Sequence, residues 1–439
     1  MTTSPSRDAV NVSGQDSPGA IAYLVGRYPM LSMIFILREV RRLRERGFRI
    51  NVASINNPDR PLDALTASEY EEAQVTYYLK AHGVQGALKA HLRVGAMAFR
   101  GYCRGLWLAF QLGRGSLTRT ALNLAYFTEA LMVGVWMNRA NQRHLHVHLG
   151  SQAATVGLFV HHVFGFGFSI TVHGPDEFYD VRGFYLSEKI AAADFIFCVS
   201  HYARSQLMLL APPSDWKKLL VSRLGVNTQQ FTPVEKIDSS EPFEVLCIGR
   251  LIPAKGQHLL IDAIERLAAQ GRSLRLKLVG EGSGGPSLRA RAAQLADPSL
   301  VVFEGGINQD HLRDYYASAD LFCLPSFAEG LPVVLMEAMA MGIACVSTQI
   351  TGIPELISNG TDGILVAPSD VDGLVSAIGA LMDDPGFRKK LGKAGRAKVV
   401  EDYDLERNVA RLASLFRQRL QGASAPENSA CSVYGAPCQ

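Results

Sequence analysis

The stretch FEVLCIGRLIPAKGQHLLIDAIERLAAQGRSLRLKLVGEG, residues 243–282, decides the fold. It opens on a short apolar run, crosses a loop that holds Gly and basic residues, continues with helical periodicity and ends on a second apolar run. A strand, a helix and a second strand of this kind form a βαβ unit, whose strands run parallel. Parallel sheets are covered by helices on both faces, so this stretch predicts an α/β domain.

The same alternation continues in both directions from this unit. Apolar runs that end in Gly, Ser or His, each followed by a helix-length segment, include IAYLVGRYP, FRINVASI, HLHVHLGS, FSITVHGPD, LFCLPSF and IACVST. Helical periodicity covers residues 34–46, 258–270, 287–295, 333–341, 371–382 and 405–420. Together they predict two doubly wound, Rossmann-like domains with parallel sheets facing across a cleft. In such folds ligands bind beyond the carboxyl ends of the strands.

Composition sets the domain limits. The polar segment TPVEKIDSSE, residues 232–241, is interpreted as a linker between an N-terminal domain at 20–231 and a C-terminal domain at 242–404. A helix at 405–420 is expected to pack back on the N-terminal domain. Residues 1–19 and 421–439 are rich in Ser, Pro, Gly and Ala, and they are predicted to be disordered.

The overall composition is that of a folded protein without a strong charge preference. The chain has 439 residues, of which 48% are hydrophobic, and a formal net charge of +3. These values exclude wholesale disorder and give no general argument for a nucleic-acid partner. Seven cysteines without a C-x-x-C pair favour buried, reduced thiols. An uncharged stretch at 144–175 is broken by Gly, Ser and His, so we expect a cytoplasmic protein without a membrane span.

Two cations follow the first strand of the C-terminal half. Arg250 and Lys255 lie in a loop that leads into a helix, where they can clamp a diphosphate together with the partial positive charge of the helix N-terminus. By itself this signal is weak, because basic residues are common on surface loops.

Two glutamates occur in LPSFAEGLPVVLMEAMAMG, residues 324–342. Glu329 ends a strand-loop, Pro332 suits the start of a helix, and Glu337 falls in its second turn. Ionised carboxylates accept hydrogen bonds from the vicinal hydroxyls of a sugar or ribose, and the free N–H groups beside them suit a phosphate. The alternative is a helix-capping Glu329 beside an unrelated Glu337.

Taken together, these residues resemble the family 4, or group 1, glycosyltransferases of the GT-B fold, in the branch that builds exopolysaccharide and colanic-acid-type polymers. The motifs that carry the resemblance are GRLIPAKG, LVGEGSG, the two glutamates with seven residues between them and STQITGIPELI in the C-terminal half, with YLVGRYPMLSMIFILREVRRLRERG, HVHLGSQAATV and TVHGPDEFYD in the N-terminal half. The resemblance spans about residues 20–420.

The resemblance implies a role for each matching position. Arg250 and Lys255 would bind the donor diphosphate, and Glu329 the hydroxyls of the transferred sugar. Glu337 would hold the nucleotide ribose, and His173 would approach the donor sugar near its 6-hydroxyl. The other donor-side positions are Gly249, Gly280, Glu281, Gly282, Gly330, Leu331 and Val333, with the backbone amides around residues 330–334 cradling the phosphates. The acceptor side would include Gly26, Ser32 and Asp176. The family's first loop usually reads Ser-x-Thr after Tyr-Pro, whereas this chain has Ser32-Met33-Ile34.

The implied enzyme is a hexosyltransferase, retaining and independent of metal ions and cofactors. It would move a sugar from a nucleoside diphosphate sugar to a hydroxyl of a polyprenyl-linked glycan at the cytoplasmic face of the membrane. One alternative is an NAD(P)-dependent oxidoreductase, because Gly280, Gly282 and Gly285 satisfy the dinucleotide fingerprint and Glu304 follows near the next strand end. The other is a non-catalytic nucleotide-sugar-binding protein.

Other polar patterns have simpler interpretations. His144, His146 and His148 alternate along one strand, so they share a face; a metal site is conceivable, but satisfied histidines near the cleft are favoured. The D-x-D patterns at 370–372 and 402–404 precede helices, which favours capping over metal binding. Asp176 and Glu177 are candidates for acceptor contacts or for a surface turn.

Positive charge is concentrated in residues 80–143, which hold nine Lys or Arg against Glu129 alone. On one continuous helix Lys89, Arg93, Arg100 and Arg104 would fall within an arc of about 60°, beside an apolar stripe. A basic amphipathic helix of this kind predicts contact with an anionic membrane surface. Phe99, Tyr102 and Trp107 could instead stack on nucleic acid, but no recognised module accompanies them, so no nucleic-acid partner is expected.

Overall fold

A computed structural model describes residues 19–234 and 242–422. Of the predicted disordered segments, residues 1–18 and 423–439 lie outside the described residues, as do residues 235–241 of the predicted linker at 232–241, whereas residues 421–422 end a helix. The remaining chain forms two α/β units, each built on one parallel sheet. The predicted fold class is confirmed.

The N-terminal sheet has seven parallel strands in the order β3-β2-β1-β4-β5-β6-β7. The strands are β1 (Ala20–Arg27), β2 (Arg49–Asn56), β3 (Tyr77–Tyr78), β4 (His144–His148), β5 (Gly167–Val172), β6 (Phe195–Cys198) and β7 (Leu219–Val221). The helices are α1 (Ile34–Glu45), α2 (Ala67–Val75), α3 (Gly83–Met97), α4 (Phe99–Gly113), α5 (Leu117–Arg139), α6 (Gln152–Phe164), α7 (Leu186–Ala192) and α8 (His201–Leu210). Because the strand order reverses between β1 and β4, the crevice for a ligand lies beyond the carboxyl ends of these two strands.

The C-terminal sheet repeats this winding with six parallel strands in the order β10-β9-β8-β11-β12-β13. The strands are β8 (Phe243–Ile248), β9 (Leu274–Val279), β10 (Val301–Gly305), β11 (Leu321–Leu324), β12 (Ala344–Thr348) and β13 (Ile364–Val366). The helices are α9 (Gln257–Ala269), α10 (Gly285–Ala292), α11 (Gln309–Ser318), α12 (Val333–Ala340), α13 (Ile353–Leu356), α14 (Val371–Asp383), α15 (Pro385–Asp402) and α16 (Leu405–Gly422).

The two faces of the N-terminal sheet have separate cores. Helices α3 to α8 cover one face in a large apolar cluster. On the other face, α1 and the C-terminal helix α16 pack together, so that Phe416 lies 5.0 Å from the ring of His146 and 5.0 Å from that of Phe197. The last helix of the described residues therefore completes the N-terminal domain.

The prediction of a single basic helix across residues 89–104 is wrong. The helical conformation is interrupted at Ala98, whose φ of −140° and ψ of 46° are not helical, and α3 and α4 lie on either side of it. The cause is the close packing of α4: a Cβ on Gly101 would come within 2.0 Å of the carbonyl oxygen of Val163 in α6, and one on Gly105 within 2.5 Å of Phe127. An approach this close fixes the direction of α4 independently of α3.

The described cysteines are free thiols. Cys198, Cys247, Cys323 and Cys345 are buried and Cys103 is exposed, while Cys431 and Cys438 lie outside the described residues. Among the residues that the structure describes, no helix combines the length and the low polarity that crossing a bilayer requires.

Candidate active site

The carboxyl ends of both sheets open onto one cleft of ≈ 510 Å³ between the domains. The N-terminal side is formed by the loop before α1 and the loop after β5. The C-terminal side is formed by the loops after β8 and β9 and by the start of α12. This is the place that doubly wound topology predicts for a ligand.

At its centre, Lys255 forms an ion pair with Glu329, with 2.5 Å between Nζ and Oε1. The Ser326 hydroxyl donates to the same carboxylate oxygen at 2.7 Å. Both charged side chains are largely enclosed, with 15% and 8% of their side-chain surfaces exposed. The pair holds a cation and a hydrogen-bond acceptor next to each other, as a ligand with phosphate and hydroxyl groups requires.

Arg250 supplies a second cation on the same side. Its main-chain oxygen accepts a hydrogen bond from Gln257 Nε2 at 2.9 Å, which ties the loop to the first turn of α9. Its side chain is exposed and forms no ion pair with any residue that the structure describes. The guanidinium is therefore available to an anion in the cleft.

The N-terminus of α12 faces the cleft without a side-chain cap. Gly330, Leu331 and Val333 line the cleft here, next to the ion pair of Lys255 and Glu329. Uncapped amides at a helix N-terminus carry partial positive charge and bind anions. The first turn of α12, Arg250 and Lys255 line the same cleft, and such groups can together bind an anion.

Glu337 is completely buried one turn further along α12. Its carboxylate contacts Gln309 at 2.8 Å, the hydroxyl of Tyr316 at 3.1 Å and Arg38 of the N-terminal domain at 3.4 Å. Burial raises the pKa of Glu337, while Arg38, Tyr316 and Gln309 oppose that rise. Arg38, which is 299 positions away in sequence, could not have been paired with Glu337 from the sequence.

His173 reaches the cleft from the other domain, directly after β5. The buried carboxylate of Glu177 holds its loop by accepting from the main-chain N–H of His173 at 2.5 Å and of Gly174 at 2.8 Å. Glu177 also accepts from the main-chain N–H of Gly150, and Lys189 donates to the main-chain oxygens of Gly150 and Ser151. Glu177 therefore organises the loop from within, whereas Asp176 is exposed at the cleft.

The two domains meet within this site. A Cβ added to Gly174 would lie 2.5 Å from the Cα of Gly330, and one added to Gly330 would lie 1.9 Å from the main-chain oxygen of His173. Only residues without a side chain permit this approach. Nearby, the Glu355 carboxylate accepts from the main-chain N–H of His201 at 2.9 Å and of Tyr202 at 2.8 Å, so a C-terminal residue caps α8 of the N-terminal domain.

Most of the predicted site positions line this single cleft. They are Ser32, His173, Asp176, Gly249, Arg250, Lys255, Gly280, Glu281, Glu329, Gly330, Leu331, Val333 and Glu337. Gly26 and Gly282 do not line it: Gly26 accepts a hydrogen bond from Asn56 at 2.7 Å, and Gly282 is packed against Leu251.

The glycines of the dinucleotide fingerprint serve packing between loops. A Cβ on Gly280 would come within 2.1 Å of the main-chain oxygen of Gly249, and one on Gly282 within 2.4 Å of that of Leu251. Gly285 has only an ordinary contact, 3.6 Å to Leu251, so close helix–strand packing does not require a glycine there. These close contacts with the loop after β8 account for the lack of a side chain at Gly280 and Gly282, and a bound pyrophosphate is not needed to explain it.

The aspartates of the two D-x-D patterns contact main-chain N–H groups and basic side chains. Asp370 caps α14 by accepting from the main-chain N–H of Gly373 at 2.8 Å, while Asp372 pairs with Arg266. Asp404 accepts from the main-chain N–H of Arg407 at 3.1 Å. These contacts agree with the capping interpretation of both D-x-D patterns.

Residues 242–384 match the family model described as "Glycosyl transferases group 1". The C-terminal domain belongs to the group 1 glycosyltransferases. Relatives extend the likeness beyond this domain. WcaL of Escherichia coli K12, a glycosyltransferase named for colanic acid biosynthesis, is 26% identical over 411 residues, which are 90% of this chain and 99% of WcaL. The amylovoran biosynthesis glycosyltransferase AmsK of Erwinia amylovora is 25% identical over 417 residues, covering 91% and 99%.

A third relative matches over a shorter region. The GDP-mannose-dependent α-(1-6)-phosphatidylinositol monomannoside mannosyltransferase of Mycolicibacterium smegmatis is 32% identical over 248 residues, which are 53% of this chain and 64% of that enzyme. This chain therefore matches less than two thirds of the mannosyltransferase, but almost all of WcaL and AmsK.

Solved structures share the fold over most of the chain. Sucrose-phosphate synthase of Thermosynechococcus elongatus superposes with a TM-score of 0.70 at 21% identity, over 92% of this glycosyltransferase and 100% of the synthase. Anabaena HepE in complex with UDP-glucose gives a TM-score of 0.68 at 16% identity, over 92% and 99%. Both likenesses support the GT-B fold, in which two Rossmann-like domains face each other across a cleft.

The glycosyltransferase has site residues that sequence reasoning missed. Ser326 and Gln309 hold Glu329 and Glu337 respectively, and Arg38 reaches Glu337 from the other domain. Glu39 and His148 support His173 from below the cleft. Their signal in the sequence was limited to polar residues within otherwise apolar segments.

Proposed function

We propose that this glycosyltransferase moves a hexose from a nucleoside diphosphate sugar to a hydroxyl of a polyprenyl-linked glycan in the synthesis of a cell-surface polysaccharide. The observation that carries the proposal is the ion pair of Lys255 and Glu329 beside the uncapped N-terminus of α12. A cation and uncapped amides beside a carboxylate suit a diphosphate and a sugar hydroxyl that lie next to each other. The pathways for which WcaL and AmsK are named support the polysaccharide, and the UDP-glucose complex of HepE supports the class of donor.

The donor side would stabilise the charge that grows on the leaving diphosphate. Arg250, Lys255 and the amides of α12 surround its place, and this charge is largest in the transition state, where stabilisation accelerates the reaction. Glu329 would accept hydrogen bonds from hydroxyls of the transferred sugar, and Glu337 from the ribose. His173 would contact the sugar from the other domain, and the acceptor would enter past Ser32 and Asp176.

We further propose retention of configuration and independence of metal ions and cofactors. Glu329 is engaged by Lys255 and Ser326, and Glu337 by three side chains, so neither carboxylate is arranged as a covalent nucleophile. A front-face route fits this arrangement, with a donor phosphate oxygen taking the proton of the acceptor hydroxyl. The anomeric configuration of the product, read by proton NMR, and activity in excess EDTA test these two points.

The donor site is tested by Lys255→Ala and Glu329→Gln. We expect each variant to lower kcat/KM for sugar transfer by at least 100-fold, the usual effect of removing one stabiliser of transition-state charge. Lys277→Ala and Glu244→Gln are matched controls, because these residues form a similar ion pair at 3.3 Å on the C-terminal sheet outside the cleft. Unchanged transfer in both cleft variants would falsify the assignment. Donor binding without turnover on any lipid-linked acceptor would instead favour a non-catalytic binding protein.

We also propose that the enzyme acts at the inner face of the plasma membrane, held there by residues 80–143. Lys89 and Arg93 are exposed on α3, and Arg100 and Arg104 on α4, so each helix carries its own pair of cations. Large apolar side chains are exposed on the same stretch: Val84, Leu88, Leu92, Met97, Phe99, Trp107, Phe110, Leu117 and Leu122. Adjacent basic and apolar rows suit an anionic bilayer surface.

A further inference from the structure

A chain of hydrogen bonds runs from the interior of the N-terminal domain to the cleft. The Tyr23 hydroxyl in β1 donates to Oε1 of Glu39 in α1 at 2.8 Å. The same oxygen lies 3.1 Å from Nε2 of His148, the last residue of β4. Nδ1 of His148 in turn lies 3.0 Å from Nε2 of His173. The first three residues are buried, and the last lines the cleft.

The directions of these hydrogen bonds follow from the carboxylate. If the Glu39 carboxylate is ionised, it only accepts hydrogen bonds, so Nε2 of His148 must carry a proton and donate to it. If His148 is also neutral, this is its single N–H, so Nδ1 of His148 accepts and Nε2 of His173 donates to it. Nδ1 of His173 is then left without a proton.

The surroundings keep His173 neutral and in place. Burial, with His148 as a neighbour, holds the pKa of His173 well below its ordinary value of 6.5. The ring of Phe35 packs against it with centroids 4.9 Å apart, and Glu177 holds its main-chain N–H. Among the residues that the structure describes, no group bonds to Nδ1 of His173. This lone pair is the part of the side chain that remains for a ligand.

The alternative is that the cluster of Glu39, His146 and His148 binds a metal ion, but the hydrogen bonds of its side chains disfavour this. The ligating atoms of Glu39, His146 and His148 lie within 4.8 Å of one another. However, Nδ1 of His146 is 2.8 Å from the Ser169 hydroxyl and Nε2 is 2.9 Å from the Thr171 hydroxyl, and both nitrogens of His148 are engaged as described. An ion would have to break these hydrogen bonds in a completely buried place.

We propose that Glu39 and His148 are positioning residues, which fix His173 as its Nε2–H tautomer so that Nδ1 accepts a hydrogen bond from a hydroxyl of the transferred sugar. This role rests on the proposed function, because it gives His173 a sugar to contact. This relay of hydrogen bonds, from Glu39 through His148 to His173, favours a hydroxyl donor at this point of the cleft. It also makes the tautomer of His173 depend on a carboxylate in α1.

The tautomer is tested directly by NMR on the full chain with ¹⁵N-labelled histidine. We expect His173, assigned by loss of its signals in His173→Asn, to show Nε2–H alone in the wild type. His148→Phe and Glu39→Met remove the relay at two different points, and each should give a mixture of His173 tautomers. Ser169→Ala is the matched control, since it removes a buried hydroxyl from the neighbouring histidines without touching the relay. A pure Nδ1–H form in the wild type, or an unchanged tautomer in both variants, overturns the proposal.

Binding separates a positioning role from a merely structural one. Both His148→Phe and Glu39→Met should lower the affinity for the sugar nucleotide about tenfold, which corresponds to the loss of roughly one hydrogen bond. The affinity for the free nucleoside diphosphate should stay the same. Equal weakening of both ligands would contradict the role of the relay at the sugar. If the tautomers behave as expected but the wild type binds no sugar nucleotide, the proposed function fails while the assigned hydrogen bonds stand.

Discussion

The main-chain oxygen of His173 lies so close to Gly330 that a Cβ on this glycine would come within 1.9 Å of it. The contact joins the two sides of the cleft at the point where the donor sugar is proposed to lie. Gly330→Ala should therefore force the domains apart without straining its own domain. We expect kcat/KM to fall at least tenfold while the thermal midpoint changes by only a few degrees.

The control for this variant is Gly95→Ala. A Cβ on Gly95 in α3 would meet nothing within 4 Å, so activity and stability should remain close to those of the wild type. Small-angle scattering should show a larger radius of gyration for Gly330→Ala than for Gly95→Ala. Full activity of Gly330→Ala would mean that the contact between the domains is not part of the reactive state.

The proposed contact of Glu337 with the ribose can be tested without knowing which nucleobase the donor carries. If its carboxylate holds the ribose hydroxyls, the wild type should bind a nucleoside diphosphate about tenfold more tightly than the 2′,3′-dideoxy analogue, and Glu337→Gln should lose most of this difference. Calorimetry with UDP, GDP and ADP, each compared with its 2′,3′-dideoxy analogue, measures this difference in affinity. A full preference for the ribonucleotide in Glu337→Gln would place the ribose elsewhere.

The sequence predicted well which C-terminal residues line the cleft, because these residues lie in local motifs at strand ends. Arg250, Lys255 and Glu329 follow β8 and β11, which are neighbours in the sheet, so topology alone brings them together. The N-terminal contributions were harder to predict. Glu39 and His148 are 109 positions apart, and nothing in their local patterns shows that α1 packs over β4.

The break at Ala98 shows a different limit. Helical periodicity can be read across residues 83–113 as if they formed one helix, because both halves are amphipathic. The break depends on the contact of Gly101 with α6, which is a tertiary contact. Local periodicity gave the correct element type here but not its continuity.

Glu177 predicts a pH dependence of stability. Burial raises the pKa of this carboxyl from 4.5 to about 7 in the folded protein, although main-chain N–H groups and Lys189 oppose the rise. Between these pH values the folded state binds the proton more tightly than the unfolded state, so this group lowers the free energy of unfolding as the pH rises from about 4.5 to 7. The difference corresponds to the order of 3 kcal/mol.

Urea unfolding across pH 4.5 to 8 measures this contribution. Glu177→Gln should be less stable overall, because an amide replaces a carboxylate that accepts three main-chain hydrogen bonds, but its stability should fall less over the window. Glu188→Gln on α7, whose carboxylate pairs with Arg114 nearer the surface, serves as the control and should keep the wild-type slope. Equal slopes in all three proteins would show that Glu177 titrates near its ordinary pKa.

The basic surface of α3 and α4 predicts binding to anionic vesicles. The wild type should sediment with phosphatidylglycerol vesicles and not with phosphatidylcholine vesicles, and less so as the salt concentration rises. The triple variant Arg93→Glu, Arg100→Glu, Arg104→Glu should lose this binding, since these exposed cations lie beside exposed apolar side chains. The matched triple variant Lys389→Glu, Lys390→Glu, Lys393→Glu changes the same charge on α15 of the C-terminal domain, and it should still sediment. If both triple variants bind equally, net charge alone governs the interaction, and α3 and α4 are not the membrane surface.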